Sequence, residues 1–260
     1  MKKIGFIGMG NMAKALAAGF ISSGMMAKED MYAFAPNQEK LHRNAEEIGF
    51  QPCDSVETLV ECCDTVFMAC KPYQIESVLM QVKERLKEKA LVSVAINWDF
   101  EKYAAYVDPS TRVQYIMPNT PARVKEGVFL VENQTSLTEE EQIQLAALLG
   151  AIGTVVKLPG HLINAGSAIT GCGPAFVDLM MEAMADAAVK HGIQRADAYK
   201  MVAQMVIGTG KLLLESGEHP GALKDAVCSP AGTTIRGVIA LEHAGMRAAF
   251  MDAVDAAAAK

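Results

Sequence analysis

The sequence predicts an α/β chain, with an N-terminal parallel-sheet domain over residues 1–159 and an all-helical domain over residues 160–260. Three observations carry this. Short apolar runs alternate with amphipathic stretches from Lys3 to about Lys157, which is the rhythm of βαβ units. From about Gly160 the β-like runs stop and Ala- and Met-rich segments with helical spacing take over,. A glycine-rich turn stands directly after the first apolar run.

The strands expected in order are "KIGFIG", "MYAFA", "TVFMAC", "ALVSVAI", "VQYIMP" and "GTVVKL", each bounded by turn residues or a helical pattern. In the second half, Pro174 suits a first helical turn and Gly192 a helix end. Asp197 falls in the first turn of the next helix, which Gly217 closes,. Met180, Met181, Met184, Met201 and Met205 form a stripe that reads as plastic core packing. Apolar residues surround these helices on more than one face, so a homodimer built through this half is expected.

Composition bounds the function. The chain has 260 residues, 51% of them hydrophobic, enough for a sizeable core,. Thirty acidic residues against 24 basic ones give a net charge of -6, without the dense basic cluster that follows a phosphate backbone, so nucleic acid is not an expected partner. Cys53, Cys62, Cys63, Cys70, Cys172 and Cys228 form no C-x-x-C pair and have no His at ligand spacing. A reducing cytoplasm is therefore expected, with neither a disulfide framework nor a metal. No run approaches the roughly 18 apolar residues of a membrane span.

"KIGFIGMGNMAKAL" supplies the first chemistry. A strand runs straight into Gly8-Met9-Gly10-Asn11-Met12-Ala13 and then into a helical pattern, the G-x-G-x-x-A dinucleotide fingerprint of a Rossmann-type domain. Gly8 permits the tight turn, Gly10 lets the backbone approach a pyrophosphate, and Ala13 allows close helix–strand packing. Asn11 and Met12 open the helix whose N-terminus faces the anion. Glu29 and Asp30 precede the second strand, whereas a ribose-binding acid belongs at its far end. There the chain reads Pro36-Asn37-Gln38, with Glu39, Lys40, His42 and Arg43 beyond. An acid-free Asn37 position accepts a 2′-phosphate, so NADPH is expected, with NADH as the alternative. Arg43 reads better as part of a solvated helix face.

Two further strand ends point to the same crevice. "TVFMACKP" places Ala69, Lys71 and Pro72 at the rim, because a strand cannot continue its ladder past proline. "VQYIMPNTPA" holds Asn119 between two prolines, either as a site residue or as the anchor of its own turn. Near the C-terminal end, "SPAGTTI" packs small and hydroxyl residues where a helix begins. Either this is an ordinary helix start at Ser229-Pro230 joining two helices, or the row of N–H donors over Gly232, Thr233 and Thr234 forms an anion nest.

Taken together, "GFIGMGNMA", "ACKP", "MPNTPA", "TGCGPAF" and "SPAGTTIRGVIALE" closely resemble the pyrroline-5-carboxylate reductase family over essentially the whole chain, most specifically over residues 223–242. The resemblance implies an N-terminal Rossmann domain and an all-helical dimerisation domain that interlocks with its twin, dimers often assembling further. It implies hydride transfer from NAD(P)H to the imine carbon of a small cyclic substrate, 1-pyrroline-5-carboxylate, giving L-proline as the last step of proline biosynthesis. The N–H groups of Gly232, Thr233 and Thr234 would bind the carboxylate, and the Thr234 hydroxyl would reach the ring nitrogen as the catalytic group. His161, His191, His219 and His243 lie near helix ends or on charged stretches and are not expected to act. The sequence departs from the family at Cys172, at Ala231, which occupies a glycine position, and at "INWDFEK". In that segment Trp98 and Asp99 are expected near the nicotinamide, where the family commonly has Ala-Gly. A hydroxyacid dehydrogenase would need an acid/base group where this chain has Gly173-Pro174-Ala175. A non-catalytic NADP-binding regulator would leave the hydroxyl-rich loop unexplained.

Overall fold

The computed structural model describes residues 1–259, which form two compact units dividing after Gly171. In the first, eight strands lie in the order β3-β2-β1-β4-β5-β6-β7-β8. They are β1 (Ile4–Ile7), β2 (Met31–Phe34), β3 (Gln51–Pro52), β4 (Thr65–Met68), β5 (Ala90–Ser93), β6 (Arg112–Met117), β7 (Gly127–Thr135) and β8 (Gly153–Leu158). The order reverses between β1 and β4, so a crevice opens beyond the carboxyl ends of the central strands. All pairings are parallel except β6 with β7.

β1, β4 and β5 are buried along their whole length because helices cover both faces, which is why they read as continuous apolar runs. Ile4 and Phe6 point into a core completed by α1 (Asn11–Ser22), α2 (Gln38–Ile48) and α6 (Glu139–Gly150), through Leu16, Phe20, Leu41 and Leu145. Phe6, Phe20 and Phe67 meet there with ring centroids 5.0–6.4 Å apart. Ile7 points to the opposite face, against α3 (Val56–Cys62), α4 (Pro72–Val82) and α5 (Phe100–Ala104), through Leu59, Leu79 and Tyr103. Each fully buried Phe or Leu contributes roughly 1.5–3 kcal/mol, so both sheet faces are essential to this unit.

All six expected strands form. β3 and β7 were not expected. β3 is a two-residue edge containing proline, and β7 turns polar in its last third, where Asn133 and Gln134 are exposed. α7 (Gly160–Ser167) packs on β7, so the compact unit extends past the last strand to Gly171.

The second unit contains α8 (Gly173–Lys190), α9 (Arg195–Ser216), α10 (Pro220–Ala226), α11 (Thr233–His243) and α12 (Met246–Ala258). The expected punctuation is present. Pro174 lies in the first turn of α8, Gly192 follows its end at φ +93°, Asp197 lies in the first turn of α9, and Gly217 caps that helix at φ +65°. The methionine stripe requires a correction: Met184, Met201 and Met205 are 42%, 58% and 43% exposed. They are surface in the single chain because α8 buries only Ala185, and α9 only Ala198 and Val202. Among the described residues no helix is long and apolar enough to cross a membrane.

Candidate active site

The crevice beyond β1, β2, β4, β5 and β6 is a cleft of about 890 Å³. Its walls bring together Gly8, Gly10, Asn11, Met12, Asn37, Ala69, Lys71 and Pro72, with Ala95, Ile96, Met117 and Thr120 on the β5–β6 side. The two fingerprint glycines serve different ends. Gly8 stands at φ +97°, and a Cβ there would lie 2.7 Å from Cys70 N and 2.8 Å from the Ala69 carbonyl, so the fold itself demands glycine,. A Cβ on Gly10 would meet nothing within 4 Å. That open space lies over the N-terminus of α1, which no side chain caps. An uncapped helix start beneath an open backbone fits a pyrophosphate. Ala13, 1% exposed, makes the close helix contact.

At the end of β2, Asn37 is the N-cap of α2, its Oδ1 accepting from Lys40 N at 2.9 Å. Ala35, Pro36 and Asn37 line the cleft with no acid among them, the arrangement that suits a 2′-phosphate better than a bare ribose diol. Arg43 pairs with Glu39 on the exposed face of α2. Lys71 is exposed at the N-cap of α4, and its N–H donates to Gln74 Oε1 at 3.2 Å. Burial pushes the Cys70 thiol up to about 11, so it stays protonated and offers no nucleophile.

Asn119 does not line the cleft. It is 5% exposed, its Oδ1 accepts from Val128 N at 2.8 Å, and its Nδ2 donates to the Thr170 carbonyl at 2.9 Å. Its side chain thus ties β7 to Thr170, both within the sheet unit. Trp98 and Asp99 also stand away from the expected place. Trp98 is 4% exposed, packed on Tyr103 and Tyr106 with centroids 5.0 and 5.3 Å away, and its Nε1 donates to the Pro72 carbonyl. Asp99 caps α5 through Lys102 N. The residue of that segment turned to the cleft is Ile96, 48% exposed. Position at the end of a strand was the signal that singles it out.

In the helical unit, Ser229 and Pro230 lead through Ala231 to Gly232, the N-cap of α11, which no side chain caps. The Gly232 N–H is already committed to the Ser229 carbonyl at 3.0 Å. This leaves the N–H groups of Thr233 and Thr234, in the first turn of α11, to face a ligand. Gly232 has a steric reason instead, because a Cβ there would lie 2.4 Å from Ser229 Oγ. Ala231 sits at φ +57°, a left-handed conformation that costs a residue with a Cβ roughly 1–2 kcal/mol. Thr233 and Thr234 are exposed in the chain. The four histidines stand at helix ends. His161 is in the first turn of α7, His191 caps α8, His219 caps α10 by accepting from Gly221 N, and His243 closes α11.

Comparison with known proteins matches the two parts of the chain to different family models. Residues 160–260 match the family model described as pyrroline-5-carboxylate reductase dimerisation, and residues 3–97 match NADP oxidoreductase coenzyme F420-dependent. The chain is 40% identical to pyrroline-5-carboxylate reductase of Treponema pallidum, covering 98% of both chains. To the Escherichia coli enzyme of the same name it is 38% identical, covering 97% of this chain and 94% of the other. The crystal structure of Plasmodium falciparum pyrroline carboxylate reductase with NADP bound superposes with a TM-score of 0.88 at 30% identity, covering 98% and 95%. Identity at this level over nearly the whole length shows that the chain belongs to the pyrroline-5-carboxylate reductase family.

Proposed function

We propose that this chain reduces the imine of 1-pyrroline-5-carboxylate to L-proline with NADPH, the final step of proline biosynthesis. The observation that carries this is the SPAGTT segment, present as an uncapped helix start in a chain aligned over 98% of its length with a reductase of that name.

When bound, NADPH supplies the hydride. Gly8, Gly10, Asn11 and Met12 would hold its pyrophosphate, Asn37 the 2′-phosphate end, and Ala69, Lys71 and Pro72 the rim. Asn119 supports the wall behind Thr120 without reaching the cleft. The substrate carboxylate would be taken by the N–H groups of Thr233 and Thr234, in a loop shaped by Ser229 and Gly232. Thr234 is the catalytic residue in this reading. Its hydroxyl accepts from the ring nitrogen, fixing the ring so that the imine carbon is presented to the hydride donor. The substrate nitrogen enters protonated and leaves as an amine, so addition of a hydride to carbon completes the reaction without a general base. Positioning and exclusion of water are what the protein supplies.

The apolar surface of α9, with Met201, Ile207 and Leu212 more than half exposed, supports a homodimer formed through the helical domain. The compartment proposed is the cytoplasm, which suits six free cysteines,. The test is direct. Purified protein given NADPH and 1-pyrroline-5-carboxylate should lose the absorbance of the reduced nicotinamide and accumulate L-proline, faster than with NADH. A folded protein that binds NADPH without consuming it would point to a regulator instead.

A further inference from the structure

Resting on the reading that this cleft binds a nicotinamide dinucleotide, we propose that Ile96 makes the cleft select the reduced, uncharged cofactor over its oxidised, cationic form. The two forms differ at the nicotinamide, which is neutral when reduced and carries a positive charge when oxidised. A wall that is apolar, or already positive, favours the neutral ring because it offers the cation neither solvation nor a counter-charge.

With the pyrophosphate over Gly10 and the adenosine half towards Asn37, the nicotinamide half belongs on the β4–β6 side. The residues lining the ends of β5 and β6 are Val94, Ala95, Ile96, Met117, Pro118 and Thr120, of which only the uncharged Thr120 is polar. Of the residues lining the whole cleft, Lys71 is the only Lys, Arg, Asp or Glu. The wall therefore has a cation at its rim and no carboxylate to balance a second one.

Ile96 is the large, displayed member of this wall. It is 48% exposed, while Ala95 before it and Trp98 two residues on are 5% and 4% exposed. The turn that presents it is fixed at several points. Ser93 Oγ donates to the Trp98 carbonyl at 3.0 Å, Trp98 N to the Ala95 carbonyl at 3.2 Å, and Trp98 Nε1 to the Pro72 carbonyl at 3.2 Å. Asn97 adopts φ +63°, and its carbonyl accepts from Lys102 Nζ, which lies 4.5 Å from the centre of the Trp98 ring. A turn anchored in this way holds the isoleucine side chain in place without help from a ligand. The bulky Trp98 thus acts as an anchor, and Ile96 is the group that meets the cofactor.

The test is calorimetric titration of the full chain with NADPH and, separately, with NADP⁺, in wild type, Ile96→Leu, Ile96→Ala and Ile96→Glu. Wild type should bind NADPH more tightly, and Ile96→Leu should keep the ratio of the two dissociation constants. Ile96→Ala should lower the ratio about threefold. Ile96→Glu, by supplying a counter-charge, should lower it about tenfold, mainly by tightening NADP⁺. Because Ile96 is half exposed, none of these variants opens a core cavity. Equal affinities in wild type, or a ratio that Ile96→Glu leaves unchanged while both cofactors bind, would overturn the inference. Wild-type protein that binds neither cofactor would overturn the reading of the cleft, and this inference with it.

Discussion

Gly8 and Gly10 are two residues apart and identical in sequence, yet the backbone needs glycine at one and the ligand needs it at the other. A side chain at Gly8 would collide with the chain between β4 and α4, whereas one at Gly10 enters open space. Gly10→Val should therefore fold, at a cost no greater than about 1 kcal/mol for an N-cap change, and lose NADPH binding. Calorimetric titration beside a thermal melt checks this, and wild-type affinity would reject the role given to Gly10. At the other unit, Thr234→Ala should lower kcat/KM roughly ten- to several-hundred-fold, the scale of one lost preorganised group. Thr234→Ser should restore most of it, because the hydroxyl rather than the methyl orients the ring. Steady-state kinetics with both variants decides. Residue identities made these positions legible because each lies in a short motif whose atoms are local in sequence. Asn119 was not legible in the same way. Its partners, Val128 and Thr170, lie 9 and 51 residues away, and adjacency to two prolines said nothing of them.

Among the elements, β6 and α6 are joined by a pair that the sequence does not announce. Arg112 Nε and Nη2 donate to the two Glu141 carboxylate oxygens at 2.8 Å each, the side chains being 26% and 16% exposed. Burial pushes the Glu141 carboxyl up. The hydrogen bonds from Arg112 and from Thr138, the N-cap of α6, outweigh it and hold the group below the usual carboxylate range. A carboxyl depressed in the folded state contributes stability that is complete above its unfolded value, about 4.3, and is lost as pH falls through the lower folded value. Glu141→Gln should thus destabilise by about 1–3 kcal/mol at neutral pH and by much less in strong acid. Denaturant titrations at both pH values check this, and an equal loss at both would contradict it. The strands with continuous apolar runs were legible because both faces of the sheet are covered. β7 was not, because it pairs antiparallel with β6 and its last third is exposed and polar. Runs of that kind read as loops.

For the whole molecule, the helical half is the part whose sequence pattern and structure within one chain differ most. Its methionines and leucines have core composition, yet Met201, Met205, Ile207, Leu212 and Leu214 are all exposed. Composition reports that a side chain will be covered, not whether its own chain covers it. Ile207→Glu should therefore shift the protein from dimer to monomer at micromolar concentration, since a buried unpaired carboxylate is costly in an interface. Sedimentation equilibrium reads the mass, and a dimer of unchanged stability would place the interface elsewhere. The central claim is that a hydride moves from the cofactor to the imine carbon of a pyrroline carboxylate. It is tested most directly with NADPH deuterated at the transferring position and mass spectrometry of the product. The account predicts L-proline carrying one deuterium at the former imine carbon. Unlabelled proline, or none from folded protein that binds NADPH, would contradict it.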